Sequence, residues 1–267
     1  MESTDRCSLH QHGKYFIVEA FGIRFFFVFD AAGVNTIYTV KESQASFAEA
    51  TRTILSIKLP PALLEGKSIP MLTTVLKRTY MNKYLQYINK SVIEHIDSMK
   101  SEGEFEMFTE IKRAYFRIGF RCWCGEEASS NEAYMERLIK NFEAIDPETG
   151  FVNPSSVVTT IFTRQSREKA ALADIAEVLK LIWNDRIQRG DTTEDSLGVC
   201  METRQSEGLV GEALYAQVAA DVVLFQMASN TNLYAALSWA FIDLLRHPIH
   251  LYVVKAYAYI HQTGSKC

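Results

Sequence analysis

The sequence predicts a mainly α fold with one small β-element near its N-terminus. Three observations carry this reading. Residues 15–29 hold two short runs rich in aromatic and β-branched side chains that meet at Gly22, the pattern of a β-hairpin. From residue 71 to residue 204 apolar side chains recur mostly three or four apart, the spacing of amphipathic helices. Residues 212–246 then form a long, nearly uncharged stretch that His247-Pro248 ends.

A chain of 267 residues, 48% hydrophobic and 22% charged, can bury a sizeable core without a disulfide or metal staple. The apolar fraction excludes intrinsic disorder, and 13 Gly with 6 Pro exclude collagen-like or low-complexity character. With 28 basic residues against 32 acidic ones the net charge is −4, which is no electrostatic footprint for nucleic acid or anionic lipid. Cys7, Cys122, Cys124, Cys200 and Cys267 are odd in number and scattered, so free thiols in a reducing compartment are expected. Only Trp123 separates Cys122 from Cys124, the wrong spacing for a zinc knuckle, and no metal site is expected. No transmembrane helix is expected either, because Glu19, Gly22 and Arg24 interrupt the most apolar run, Tyr15 to Phe29. Met1 to Lys14 is polar and unlike a signal peptide, so the chain reads as cytoplasmic and without a membrane anchor.

Taken in order, the hairpin is followed by Asp30, a residue suited to cap a short helix over Ala31 to Val40. Pro60-Pro61 and Pro70 punctuate a loop-rich stretch. One helix is expected from Met71 to Met99, with Leu72, Val75, Leu76, Tyr80, Tyr84, Tyr87, Ile88, Val92 and Ile96 apolar. A second is expected from Glu104 to Gly119, with Phe105, Phe108, Ile111, Tyr115 and Ile118 on one side. Gly125 and Ser129-Ser130-Asn131 break the pattern, Glu132 to Ile145 resumes it, and Asp146-Pro147-Glu148-Thr149-Gly150 is a turn. Arg167 to Arg189 and Asp195 to Arg204 are the next helices. In the last and strongest element, 212–246, Asp221 and Asp243 are the only acids after Glu212. A helix apolar around most of its circumference is a buried central helix.

That order of elements resembles the cytochrome P-450 superfamily of haem-thiolate monooxygenases, in three segments. Gly13-Lys14-Tyr15-Phe16 through Ser46-Phe47 is similar to the family's opening hairpin and the helix after it. Phe105 to Glu126 is similar to the helix before a glycine-containing turn, here Cys124-Gly125-Glu126. Val222 to Pro248 resembles the long central helix, with Met227-Ala228-Ser229-Asn230-Thr231 where the family has Ala/Gly-Gly-x-acid-Thr, and Leu244-Leu245-Arg246-His247-Pro248 as its Leu-x-x-His-Pro ending. The resemblance covers nearly the whole chain but roughly the first two-thirds of such an enzyme, without the Phe-x-x-Gly-x-x-x-Cys-x-Gly segment that supplies the axial thiolate. No Glu-x-x-Arg motif follows the central helix, and Cys267 lacks the spacing and the aromatic residue that such a ligand needs.

The resemblance implies a truncated cytochrome P-450-like fold, one partial domain over residues 1–267 with a hairpin at 15–29, amphipathic helices over 71–204 and a central helix at 212–246. It implies kinship with haem-dependent monooxygenases of lipophilic small molecules, in steroid or specialised (secondary) metabolism, served by an NADPH-dependent reductase. Haem is the family's cofactor, but without the thiolate segment this chain is expected to bind none and to be inactive. Thr231 and Asn230 are the candidate catalytic residues, at the oxygen-activation positions of the central helix. Asn hydrogen-bonds water but does not carry a proton as a carboxylic acid does. Thr231 either serves that relay or back-bonds to the preceding turn, and the sequence leaves both readings open. Two further readings stand beside this one: a truncated or mis-spliced form of an active enzyme, and a non-catalytic binding or scaffold protein.

Other candidates read as ordinary structure. Cys122-Trp123-Cys124 is expected in the core, Lys77, Arg78 and Lys83 on a solvated helix face, and Tyr80, Tyr84 and Tyr87 in a core or interface. The six histidines show no ligand spacing, and no phosphate-binding glycine loop, Gly-x-Ser-x-Gly elbow or His-Glu-x-x-His is present.

Overall fold

The computed structural model describes residues 15–20, 23–41, 43–46, 49, 50, 52, 53, 59–63, 68–99, 104, 106–146, 159, 162–191, 195–230, 233–250, 252 and 253. The chain divides into two compact units, residues 1–55 and 56–267.

The first unit holds the expected hairpin. Strands β1 (Tyr15–Ala20) and β2 (Ile23–Val28) pair antiparallel, with Tyr15 opposite Val28 and Ala20 opposite Ile23. Cross-strand pairs set the register. Phe16 stacks on Phe27 with ring centroids 4.9 Å apart, and the directly opposed Glu19 and Arg24 form an ion pair at 2.6 Å. Helix α1 (Ala31–Thr39) starts where the sequence predicts, because the Asp30 carboxylate accepts a hydrogen bond from the Gly33 N–H.

The second unit is helical among its described residues. A short 3-10 turn (Pro61–Leu63) leads to α2 (Ser68–Val75) and α3 (Arg78–Ser98). The single helix expected from Met71 is therefore two, divided at Lys77, whose extended backbone (φ −61°, ψ 149°) cannot continue a helix. On α3 the tyrosine line faces inward, with Tyr84 buried and Tyr80 and Tyr87 half-buried, whereas Ile88, Val92 and Ile96 lie exposed. Helix α4 runs from Met107 to Cys124, five residues past its expected end. Its buried set is Phe116, Gly119, Phe120 and all of residues 121–124, not the predicted line of Phe108, Ile111, Tyr115 and Ile118; Phe105 lies outside the described residues. Other helices pack around the C-terminal half of α4 on several sides, so one-sided periodicity fails there. After α5 (Glu126–Ser130) come α6 (Glu132–Ile145), α7 (Ser166–Arg189) and α8 (Ser196–Ser206), close to their predicted bounds.

The expected central helix is α9 (Gly211–Asn230) followed by α10 (Leu233–Arg246); residues 231 and 232 lie outside the described residues. Helix α9 is the hub of the unit and packs against the 3-10 turn, α2, α4, α7, α8 and α10. Val218, Ala219, Ala220, Val222, Val223 and Phe225 are fully enclosed. Helix α10 departs from the expectation of burial. Its buried residues are Tyr234 and Ser238, while Leu233, Phe241, Leu245 and Trp239 (61% accessible) face outward. It packs chiefly on α4, so one stripe is covered and the rest of its apolar surface is not.

One acid sits inside the hub. Asp221 is fully buried and accepts hydrogen bonds from Arg204 Nε at 2.8 Å, from Arg204 Nη2 at 2.7 Å and from the Ser68 hydroxyl. Arg204 on α8 is itself 2% accessible and also donates to Glu207 at 2.8 Å. This knot ties α2, α8 and α9 at one point. Arg204→Met strands the Asp221 charge in the core and is expected to cost about 3–5 kcal/mol in urea unfolding. The double variant Arg204→Met/Asp221→Leu removes the orphaned charge and is expected to recover most of that loss.

Candidate functional site

Of the two candidate catalytic positions, Asn230 is the last residue of α9, and Thr231 lies outside the described residues. The turn before them is held by a polar seam against α4. The Trp123 indole N–H donates to Ser229 Oγ at 3.3 Å, and the Ser229 hydroxyl donates to the Phe225 carbonyl at 2.8 Å. The fully buried Gln226 donates to the Phe116 carbonyl at 3.4 Å. Trp123 stands edge-on to Tyr84 at 5.6 Å and to Phe225 at 5.5 Å, and the Tyr84 hydroxyl donates to the Val75 carbonyl at 2.8 Å. Burial raises the Tyr84 phenol well above its usual range, so it acts as a neutral donor. Phe225, Gln226 and Ser229 thus turn toward α4, leaving Leu224 and Met227 half-covered and Ala228 exposed on the other side of the helix.

Beneath the seam, the end of α4 is locked by two buried arginines. Arg121 donates to Glu94 at 2.6 Å, to Glu126 at 2.6 Å and to the Ser91 hydroxyl at 2.9 Å, which joins α3, α4 and α5. Arg186 on α7 donates to Asp195 at 2.7 and 2.9 Å, to Glu127 at 2.8 and 2.9 Å, and to the Cys124 carbonyl at 3.2 Å. Burial opposes the Arg186 charge, but the hydrogen bonds and charges of Asp195 and Glu127 outweigh it and hold the guanidinium firmly protonated. Burial likewise opposes the Glu127 charge, and Arg186 overcomes this and keeps its carboxyl below the usual range. Asp195 has a second role: it caps α8 by accepting from the Gly198 N–H at 2.9 Å.

No local pattern in the sequence marks Arg121, Arg186, Glu127 or Asp195 as partners in this arrangement. The signals available were a lone acid in an apolar helix, Asp221, and Gly125 directly before a pair of acids.

The cysteines bear on whether these residues fit a haem thiolate. Cys122, Cys124 and Cys200 are all buried and free. Burial pushes the Cys122 thiol up to about 12 and also raises Cys124 and Cys200 well above the usual thiol range, with Asp195 adding to the effect on Cys124 and Asp221 on Cys200. A metal ligand must be a thiolate on an open face, so these three do not fit an axial ligand. Cys7 and Cys267 lie outside the described residues, and among those described no group of three or more His, Cys, Asp or Glu side chains is placed to hold a metal ion. No described helix is long and apolar enough to cross a membrane.

The sequence model of the family described as "Cytochrome P450" matches residues 67–253, more than half of the chain. The chain belongs to the cytochrome P450 family. A solved cyanobacterial structure, CYP120A1 with retinoic acid bound, superposes with a TM-score of 0.65 at 18% identity, which establishes the shared fold. The match covers 93% of this chain and 56% of that one, so this P450 chain spans little more than half of its structural relative. No curated protein sequence matches it.

Gly125 is the hinge of the locked region. Its backbone (φ +88°, ψ −177°) lies in a region that essentially only glycine occupies, and an added Cβ would stand 2.1 Å from Arg186 Nη2. Gly125→Ala is therefore expected to lower stability in urea unfolding by about 3 kcal/mol or more, through backbone strain and displacement of a buried ion pair.

Proposed function

We propose that this P450 chain is a relative of monooxygenases of lipophilic substrates that, over the residues given, does not itself catalyse oxygenation. The observation that carries the reading is the state of its described cysteines: three enclosed, protonated thiols, none able to ligate iron as thiolate. Residues 1–267 are taken as one P450-like domain, supported by the match of 93% of the chain to a single solved structure. In this reading Asn230 and Thr231 keep the oxygen-activation positions by resemblance, and the Trp123–Ser229 contact fixes the helix turn before them. A steroid or specialised-metabolism substrate, an NADPH-dependent reductase as electron donor and a cytoplasmic location for this chain belong to the same proposal.

The test is the absorption spectrum of the ferrous, carbon-monoxide-bound protein, with residues 1–267 expressed in the presence of a haem precursor. The expected result is no thiolate-type Soret band. A thiolate-type band that vanishes in Cys267→Ala would overturn the proposal and assign the ligand to that residue.

A further inference from the structure

A cleft of about 250 Å³ opens between α4 and α6, away from the candidate positions of α9. Two ion pairs cross between these antiparallel helices: Arg117 to Glu132 at 2.6 Å, and Lys112 to Glu143 at 2.7 Å. Between the crossings lie Arg113 of α4 and Lys140 of α6, which both line the cleft. Both are exposed, and neither forms an ion pair among the described residues. Two nearby acids are engaged elsewhere. Glu132, whose charge Arg113 feels, is held by Arg117, and Asp174, whose charge Lys140 feels, is held by Arg137 and Asn141. Glu136, the remaining acid of the lining, contributes its charge toward Arg117. The floor is apolar: Phe116, 3% accessible, and the half-buried Ile139.

Four cations, Lys112, Arg113, Arg117 and Lys140, line the cleft against two acids, Glu136 and Glu143, so its rim carries an excess of positive charge beside an apolar floor. A free anion with an apolar body answers both demands, because charge-assisted hydrogen bonds hold its head while the floor covers its ring or chain. The volume is a little under the roughly 300–1,000 Å³ of sites for drug-sized ligands, which limits the body to one or two rings or a short chain. We propose that this cleft binds a small amphipathic anion, an aromatic or short-alkyl carboxylate or sulfonate, with its body on Phe116 and Ile139 and its charged end between Arg113 and Lys140. The site is independent of haem and of the α9 positions.

Isothermal titration of the full 267-residue chain with 2-naphthoate at low ionic strength tests this. One saturable site is expected, weakened about tenfold or more by Arg113→Glu and by Lys140→Glu. The neutral analogue 2-naphthalenemethanol is expected to bind the unaltered chain about tenfold more weakly and to be indifferent to both substitutions. Absence of saturable binding, or binding that both reversals leave unchanged, would overturn it; the latter would place the ligand on another apolar surface.

Discussion

A carboxylate in the middle of an apolar helix survives burial only if another charge meets it, and the hub of this molecule is organised around that constraint. Asp221 is enclosed on α9, and the Arg204 guanidinium reaches it from α8 through two parallel hydrogen bonds, with the Ser68 hydroxyl of α2 adding a third. Desolvating both ions offsets most of their attraction, so the pair contributes little beyond what apolar side chains would. Its effect is on registry. Any slip of α8 or α2 along α9 leaves a charge unanswered, at a cost of several kcal/mol, so the three elements have one acceptable alignment.

The same device recurs at the end of α4. Arg121 binds α3 and α5 to it, and Arg186 joins α7 to the turn at Gly125, with Asp195 serving both as ion-pair partner and as the cap of α8. The close approach of Arg186 to the backbone explains why Gly125 has no side chain. With α4 fixed in this way, Trp123 is held against Ser229, and the last turn of α9 is oriented by packing on one side while its other side stays partly open. The last turn of α9, which ends at Asn230, is thus oriented by residues distant from it in sequence.

Much of the fold was legible in the sequence because local rules governed it. Runs of aromatic and β-branched residues around Gly22 gave the hairpin, Asp30 the cap of α1, and regular spacing the bounds of α6, α7 and α8. Periodicity failed where burial was not one-sided. The C-terminal half of α4 is enclosed from several directions, so no apolar stripe marks its buried residues, and α10 exposes apolar side chains that its composition would have buried. The α2–α3 division escaped notice because a two-residue break leaves the apolar spacing nearly in phase. At the candidate site, the pairs that join Arg186 to Asp195, Glu127 and Cys124, and Arg204 to Asp221, lie 9 to 62 positions apart, and no local pattern announces such pairs.

Membership of the cytochrome P450 family and the packing of the described helices combine into one account, in which the helical unit takes its internal order from the enclosed contacts of α9. Native-state hydrogen exchange of the haem-free chain, read peptide by peptide, tests that claim most directly. The account predicts that amides of residues 218–225 exchange slowest, at the rate of global unfolding, and far more slowly than those of α10. Exchange of residues 218–225 as fast as that of α10 would contradict it, since the hub would then be no more ordered than the exposed helix beside it.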